Sequence, residues 1–118
     1  FVLACQEADG GFRVGPGIPG STWVTALAIP ILAKAGREKE LRRAGQWLLQ
    51  TTGSDGKLIA RLASWMGWHP VEQDPSLEGW PWHPGNNAWV EPTVHSLLAL
   101  KHLKSFASES ELKYRMER

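Results

Sequence analysis

A chain of 118 residues has the length of one ordinary domain, and 21% charged with 42% hydrophobic residues is the balance of a folded segment rather than a disordered one. A net charge of +1, with its basic residues scattered, lacks the concentrated cationic face that nucleic acid requires. One cysteine, Cys5, excludes an internal disulfide framework and a multi-Cys zinc cage, and fits a reducing compartment. The longest apolar run, Trp23 to Ala33, is broken by Pro30. A membrane span needs roughly 20 apolar residues, so no transmembrane segment is expected. Nor does a basic leader precede Phe1, so no secretory signal is read. The expected location is cytoplasmic or peripheral to the membrane. Seven tryptophans point to aromatic packing layers or to a pocket for a large ligand.

In chain order, Phe1 to Phe12 reads as a helix end followed by a turn. Asp9-Gly10-Gly11 tolerates positive φ and stops a helix. Trp23 to Ala35 is apolar nearly all round, as suits a helix buried on most sides, with Pro30 expected to kink it or remove a bond. Glu38 to Gln50 is amphipathic, charged on one side, with Leu41, Ala44, Gly45 and Leu48 on the other. Its stretch from Arg37 to Arg43 reads as a solvated face. Asp55-Gly56 supplies a second turn. Near Pro92 another helix begins, where a missing N–H is harmless, and Val94, Leu97, Leu98 and Leu103 carry its apolar pattern. Ser108 followed by Glu111 is a capping-box pattern that opens a last helix.

These elements repeat. Phe1 to Phe12 aligns without a gap on Trp47 to Leu58, 46 positions on, matching an aromatic, two aliphatics, Asp-Gly and a closing apolar residue. Gly20 to Leu27 resembles Asn86 to Thr93, with Trp23 and Trp89 66 positions apart. The two offsets differ by 20, which places an insertion at 59–78. The expected units are 1–46, 47–107 and the start of a third at 108–118. The first lacks an outer helix, and the third stops before its aromatic. About two hairpins of a longer array are therefore expected, since one unit cannot bury its apolar face unaided.

At Phe1-Val2, Gln6, Gly10 and Phe12 the chain resembles the repeat of the terpenoid cyclase and protein prenyltransferase superfamily, including squalene-hopene cyclase-like proteins. Trp47-Leu48 fits as well, whereas Thr52 stands in place of the Gln and Leu58 in place of the aromatic. Gly79-Trp80-Pro81-Trp82 followed by Ala88 to Thr93 is similar to bacterial proteins described as squalene or prenyltransferase repeat proteins. The resemblance implies an all-α fold, an α/α toroid whose inner helices line a cavity, here as an incomplete ring. It implies an apolar, isoprenoid-like ligand and the remaining repeats of the same chain as partners. No cofactor is called for. In the repeat the Gln satisfies backbone groups at a helix end while stacking on the turn's ring.

The family's chemistry does not carry over residue by residue. The only Asp residues are Asp9, Asp55 and Asp74, so the acid motif Asp-x-Asp-Asp of the squalene-hopene cyclases is absent. Cys5 lacks the Asp that would accompany it in a prenyltransferase zinc site, and His95 and His102 lack a third ligand, so no metal is expected. The remaining candidates lie in the second unit, among Trp65, Trp68, His69, Asp74, Glu78, Trp80, Trp82, His83, Trp89, Glu91 and His95. Trp23, Trp68, Trp80, Trp82 and Trp89 would form a pocket wall whose indole faces hold a hydrocarbon. Glu91, Asp74 and His95 are the candidate catalytic groups. Equally, the tryptophans pack the insertion onto the helices and Glu91 satisfies free N–H groups at a helix start. Two functions follow from different classes. One is a terpenoid cyclase-like or prenyltransferase-like segment that binds a polyisoprenoid-type substrate, with its acid elsewhere. The other is a non-catalytic repeat domain that binds a ligand or protein.

Overall fold

The computed structural model describes residues 1–53, 62–63, 65–67 and 78–117. Among them the protein is all-α, with four helices of eight residues or more and no strand. These are α1 (Val24–Lys34), α2 (Glu38–Gln50), α3 (Val90–Leu100) and α4 (Glu109–Glu117), preceded by a short 3-10 helix at Val2–Cys5. Three isolated antiparallel bridges, Gln6 with Phe12, Phe12 with Thr22 and Pro81 with Ala88, brace the turns. The turn at Asp55-Gly56 and most of the expected insertion lie outside the described residues.

The sequence explains where α1 and α2 begin and end. Glu38 and Glu40 set negative charge against the unsatisfied N–H groups in the first turn of α2. At the end of α1, Gly36 takes a φ of +65. There Arg37 N–H donates to Leu32 O at 3.0 Å and Gly36 N–H to Ala33 O at 3.2 Å, a left-handed cap that satisfies two terminal carbonyls. Inside α1, Pro30 is absorbed, and the helix runs unbroken from Val24 to Lys34. The Ser108 cap expected of α4 is present, with Glu111 N–H donating to Ser108 Oγ at 3.2 Å.

Packing follows from which faces are apolar. α1 lies between α2 and α3. Ile29, Leu32, Ala44, Leu48, Leu100 and Leu103 are almost wholly removed from water around it. On α2, the expected stripe of Leu41, Ala44, Gly45 and Leu48 is buried, joined by Trp47. Gly45 permits the approach of the segment after α3, because a Cβ there would stand 2.8 Å from the Phe106 ring and 3.0 Å from Leu103. On α3 the buried residues are Pro92, Ser96, Ala99 and Leu100, while Val94 and Leu98 face outward. The expected apolar pattern of this helix is thus shifted. Small residues at 96 and 99 let α3 approach α1 closely, and the larger aliphatics are left on the open side. Leu27 and Ile31 of α1 are likewise exposed, so that helix is open along one line and buried elsewhere. No helix among the described residues is long and apolar enough to cross a membrane.

Candidate functional site

The first turn is tied to α2 by side chains that the repeat places there. Gln6 Nε2 donates to Gly10 O and to Glu40 O, both at 3.0 Å, so the side chain bridges its own turn and the start of α2. Asp9 accepts from Gly11 N–H at 3.0 Å, from Ser21 Oγ at 2.6 Å and from the Trp47 indole N–H at 3.0 Å. Its turn role holds, but the carboxylate also joins three separate segments. Arg43 Nη2 donates to Glu7 O and Ala8 O at 2.9 and 3.0 Å, so this arginine of the expected solvated face turns back onto the helix end. The Arg37–Glu40 pair beside it is exposed. Hydrogen bonding to Glu40 raises the Arg37 pKa, and the same bond lowers that of Glu40.

Asp9→Ala removes three hydrogen bonds and leaves the indole N–H of the buried Trp47 without its partner. The expected cost is about 2 kcal/mol, the value of charge-assisted bonds partly replaced by water. Urea unfolding followed by circular dichroism measures it, and a change under 0.5 kcal/mol would show that the carboxylate holds nothing together.

The second unit repeats the backbone geometry of the first across a longer connection. Glu7 N–H donates to Gly11 O at 2.8 Å, and Gly53 N–H donates to Gly79 O at 2.9 Å. Phe12 N–H donates to Thr25 Oγ1 at 2.8 Å, and Trp80 N–H donates to Thr93 Oγ1 at 2.9 Å. Thus Gly53 follows Glu7 by 46 positions, whereas Gly79, Trp80 and Thr93 follow Gly11, Phe12 and Thr25 by 68. The ring that matches Phe12 is Trp80, rather than Leu58. The two units differ by 22 residues between Gly53 and Gly79, instead of 20 between Leu58 and Trp89. Trp23 and Trp89 are not equivalent in this register. Trp89 N–H takes the role of Thr22 N–H, one position off this register at 67, since these donate to Trp80 O and Phe12 O at 3.1 and 2.9 Å.

The tryptophans therefore separate by environment. Trp80 is 2% exposed, its indole N–H donates to Leu48 O at 2.9 Å, and it belongs to the packed core rather than to a pocket wall. Trp23 and Trp82 are half-buried and meet edge to face at 4.8 Å between ring centroids, and Trp23 N–H donates to Trp82 O at 3.2 Å. His95 lies against Trp23 at 5.7 Å. Trp89 is 61% exposed, and Trp65 is exposed as well. Trp68, His69 and Asp74 lie outside the described residues. Glu91, in the first turn of α3, is exposed. Of the candidate catalytic groups, Glu91 and His95 are thus both on α3, and among the described residues no carboxylate is hydrogen-bonded to either. Among the described residues no three of His, Cys, Asp and Glu gather as a metal would require.

One residue of this region carries no sequence signal. Arg115 of α4 is 4% exposed, where the pattern of its helix reads as solvated. Its guanidinium pairs with Glu78 at 3.0 Å, donates to Thr51 O at 2.9 Å and lies 4.2 Å from the centre of the Trp80 ring. Burial pushes its pKa down and the Glu78 carboxylate pushes it back up. Trp80 thus gains a cation over its face, but the cation is the protein's own.

What is left open is one line of side chains on α1 and one on α3. Leu27 and Ile31 are exposed, as are Val94 and Leu98, each 67 positions on. Trp23, the residue before α1, packs against Trp82 and against His95 in the middle of α3. No protein-family model, no curated protein and no solved structure matches the chain.

Proposed function

We propose that the chain forms two hairpins of an α/α toroid of the terpenoid cyclase and protein prenyltransferase kind, with α1 and α3 as inner helices and α2 and α4 as outer ones. In this reading the inner helices present a wall to a polyisoprenoid-type apolar ligand, and the acid that a cyclase needs is supplied outside residues 1–118. The observation that carries the proposal is the repeated exposure of Leu27 and Ile31 and of Val94 and Leu98 on two adjoining helices. Exposed apolar side chains scattered singly need no explanation, but a pair of them one turn apart on each of two adjoining helices points to a binding surface. The Gln6 and Asp9 contacts add support, since the turn residues that carry the family resemblance all bond between elements.

A non-catalytic repeat domain is the second reading. It is favoured by the state of the acids: Asp9 is committed to three hydrogen bonds and Glu91 stands exposed at the start of α3. Calorimetric titration with geranylgeraniol, a neutral C20 isoprenoid, tests the wall shared by both readings. Saturable binding is expected, weakened at least about tenfold by Ile31→Glu combined with Leu98→Glu, because a charge buried against a hydrocarbon is costly. Absence of saturable binding, or equal affinity in the double variant, overturns the proposal. Conversion of the alcohol or of squalene to cyclic products by the complete protein would separate enzyme from binding domain.

A further inference from the structure

The two units share a turn as well as the bonds already described. Pro16-Gly17 and Pro84-Gly85 stand 68 positions apart, and both glycines take a positive φ, +80 and +87. Each dipeptide forms the centre of a β-turn, closed by Ile18 N–H on Gly15 O at 3.3 Å and by Asn86 N–H on His83 O at 3.1 Å. Proline followed by a left-handed glycine is the composition of a type II turn. In the second unit the residue before this turn, Trp82, is seated on the first unit. Trp23 N–H donates to Trp82 O at 3.2 Å, and the two rings meet edge to face at 4.8 Å. Both sides of that contact recur in the chain, and there they are exposed. On the receiving side, Trp89 takes the place of Thr22, and Val90 follows it as Trp23 follows Thr22. Thr22 is buried and Trp23 half-buried, whereas Trp89 and Val90 are 61% and 80% exposed. On the inserting side, Val14 and Ile18 match Trp82 and Asn86 at the offset of 68, and both are more than half exposed.

We infer that the chain associates head to tail with a second copy of itself. The turn at 14–18 of one copy seats on Trp89 and Val90 of the next, repeating between chains the contact that Trp82 makes with Trp23 within one. The internal contact selects the occupant, because it shows what kind of segment covers this position when it is covered. The composition agrees: Val14 and Ile18 on one side and Trp89 and Val90 on the other are apolar, and a tryptophan is a common anchor of an interface. The two surfaces differ, so the contact is heterologous. A pair of copies still offers one turn and one helix start, and association runs on to a closed ring or a filament instead of ending at a two-fold dimer. The inference rests on the equivalence of the two units and needs neither the toroid nor the apolar ligand proposed above.

Sedimentation velocity of the whole chain over a concentration series is expected to show a mass that rises beyond the dimer. Trp89→Glu blocks the receiving side and Ile18→Asp the inserting side. Each should weaken self-association at least about tenfold, because a charge is then buried against apolar side chains. Both positions are exposed, so the fold is expected to survive, and an unchanged circular dichroism spectrum checks it. Val90→Glu and Val14→Asp form a second pair that should behave in the same way. The decisive sample is the equimolar mixture of Trp89→Glu and Ile18→Asp. One copy keeps its turn and the other keeps its tryptophan, so the mixture should form a one-to-one heterodimer and stop there, both remaining surfaces being blocked. A chain that is monomeric at every concentration overturns the inference, and so does a mixture that stays monomeric. A dimer lost in Trp89→Glu but intact in Ile18→Asp would show the tryptophan surfaces pairing with each other, and overturns it as well. None of these outcomes involves the isoprenoid, so failure here leaves the proposed function to its own test.

Discussion

Trp80→Ala is expected to be among the most destabilising single changes in the protein, costing about 3–5 kcal/mol. The ring is 2% exposed, holds Leu48 O through its N–H at 2.9 Å, and carries the Arg115 guanidinium over its face at 4.2 Å. Truncation empties the space between α2 and the second turn and removes the surface on which α4 docks. Domains of this size are stable by about 5–15 kcal/mol, so the loss takes a large share of the total. The urea midpoint should fall steeply, and the melting temperature by more than about 10 °C. Trp80→Phe separates the contributions. It keeps most of the apolar body and drops the donor to Leu48 O, at a cost of about 1–2 kcal/mol. A double-mutant cycle with Arg115→Met should return a coupling of about 1 kcal/mol between cation and ring. A Trp80→Ala variant within 1 kcal/mol of the original would place the ring outside the core and break the equivalence of Trp80 with Phe12.

The second large effect is expected at Gly10. Its φ is +98, a region in which L side chains are strained, and a Cβ there would stand 2.6 Å from Arg43 O, a backbone atom within α2. Strain of about 1–3 kcal/mol and overpacking of similar size combine, so Gly10→Ala should cost about 3 kcal/mol or more. Gly17→Ala is the matched comparison. Gly17 has a φ of +80 and nothing within 4 Å of its Cβ position, so only the backbone strain remains. The difference between the two variants in urea unfolding isolates the approach of the first turn to α2. Equal costs would show that the turn does not press on that helix.

Much of the frame is legible in the sequence because local rules govern it. The amphipathic face of α2 and the Ser108 cap depend on residues near one another, and the structure places them as periodicity and capping require. The second offset shows where such reading stops. Trp23 and Trp89 draw the eye as the largest residues in their segments, yet the register is held by Thr25 and Thr93, whose hydroxyls accept from backbone N–H groups thirteen positions earlier. A threonine in an apolar helix start carries no visible mark of that task. Glycine 79 and Trp80 are hidden as the partners of Gly11 and Phe12 because a long connection separates them from Gly53. Of the site residues, Trp82 and His95 gather at Trp23 and Trp89 is exposed, whereas Trp80 is drawn inward by Leu48 and Arg115. Nothing near Arg115 in sequence announces this. Its partners are 37 and 64 positions away, and the helix that bears it is otherwise polar.

The chain leaves the helical frame at Gly53 and rejoins it at Gly79, and those two points are one hydrogen bond apart. Arg115 fastens the same gap from outside, reaching Thr51 on one edge and Glu78 on the other. Because the crossing is closed by its rim, its cost to the frame scarcely depends on how many residues are strung between the two edges. Doubling such a length adds only about 0.6 kcal/mol of closure entropy. A longer or shorter connection between Gly53 and Gly79 should therefore leave the helices on either side in register.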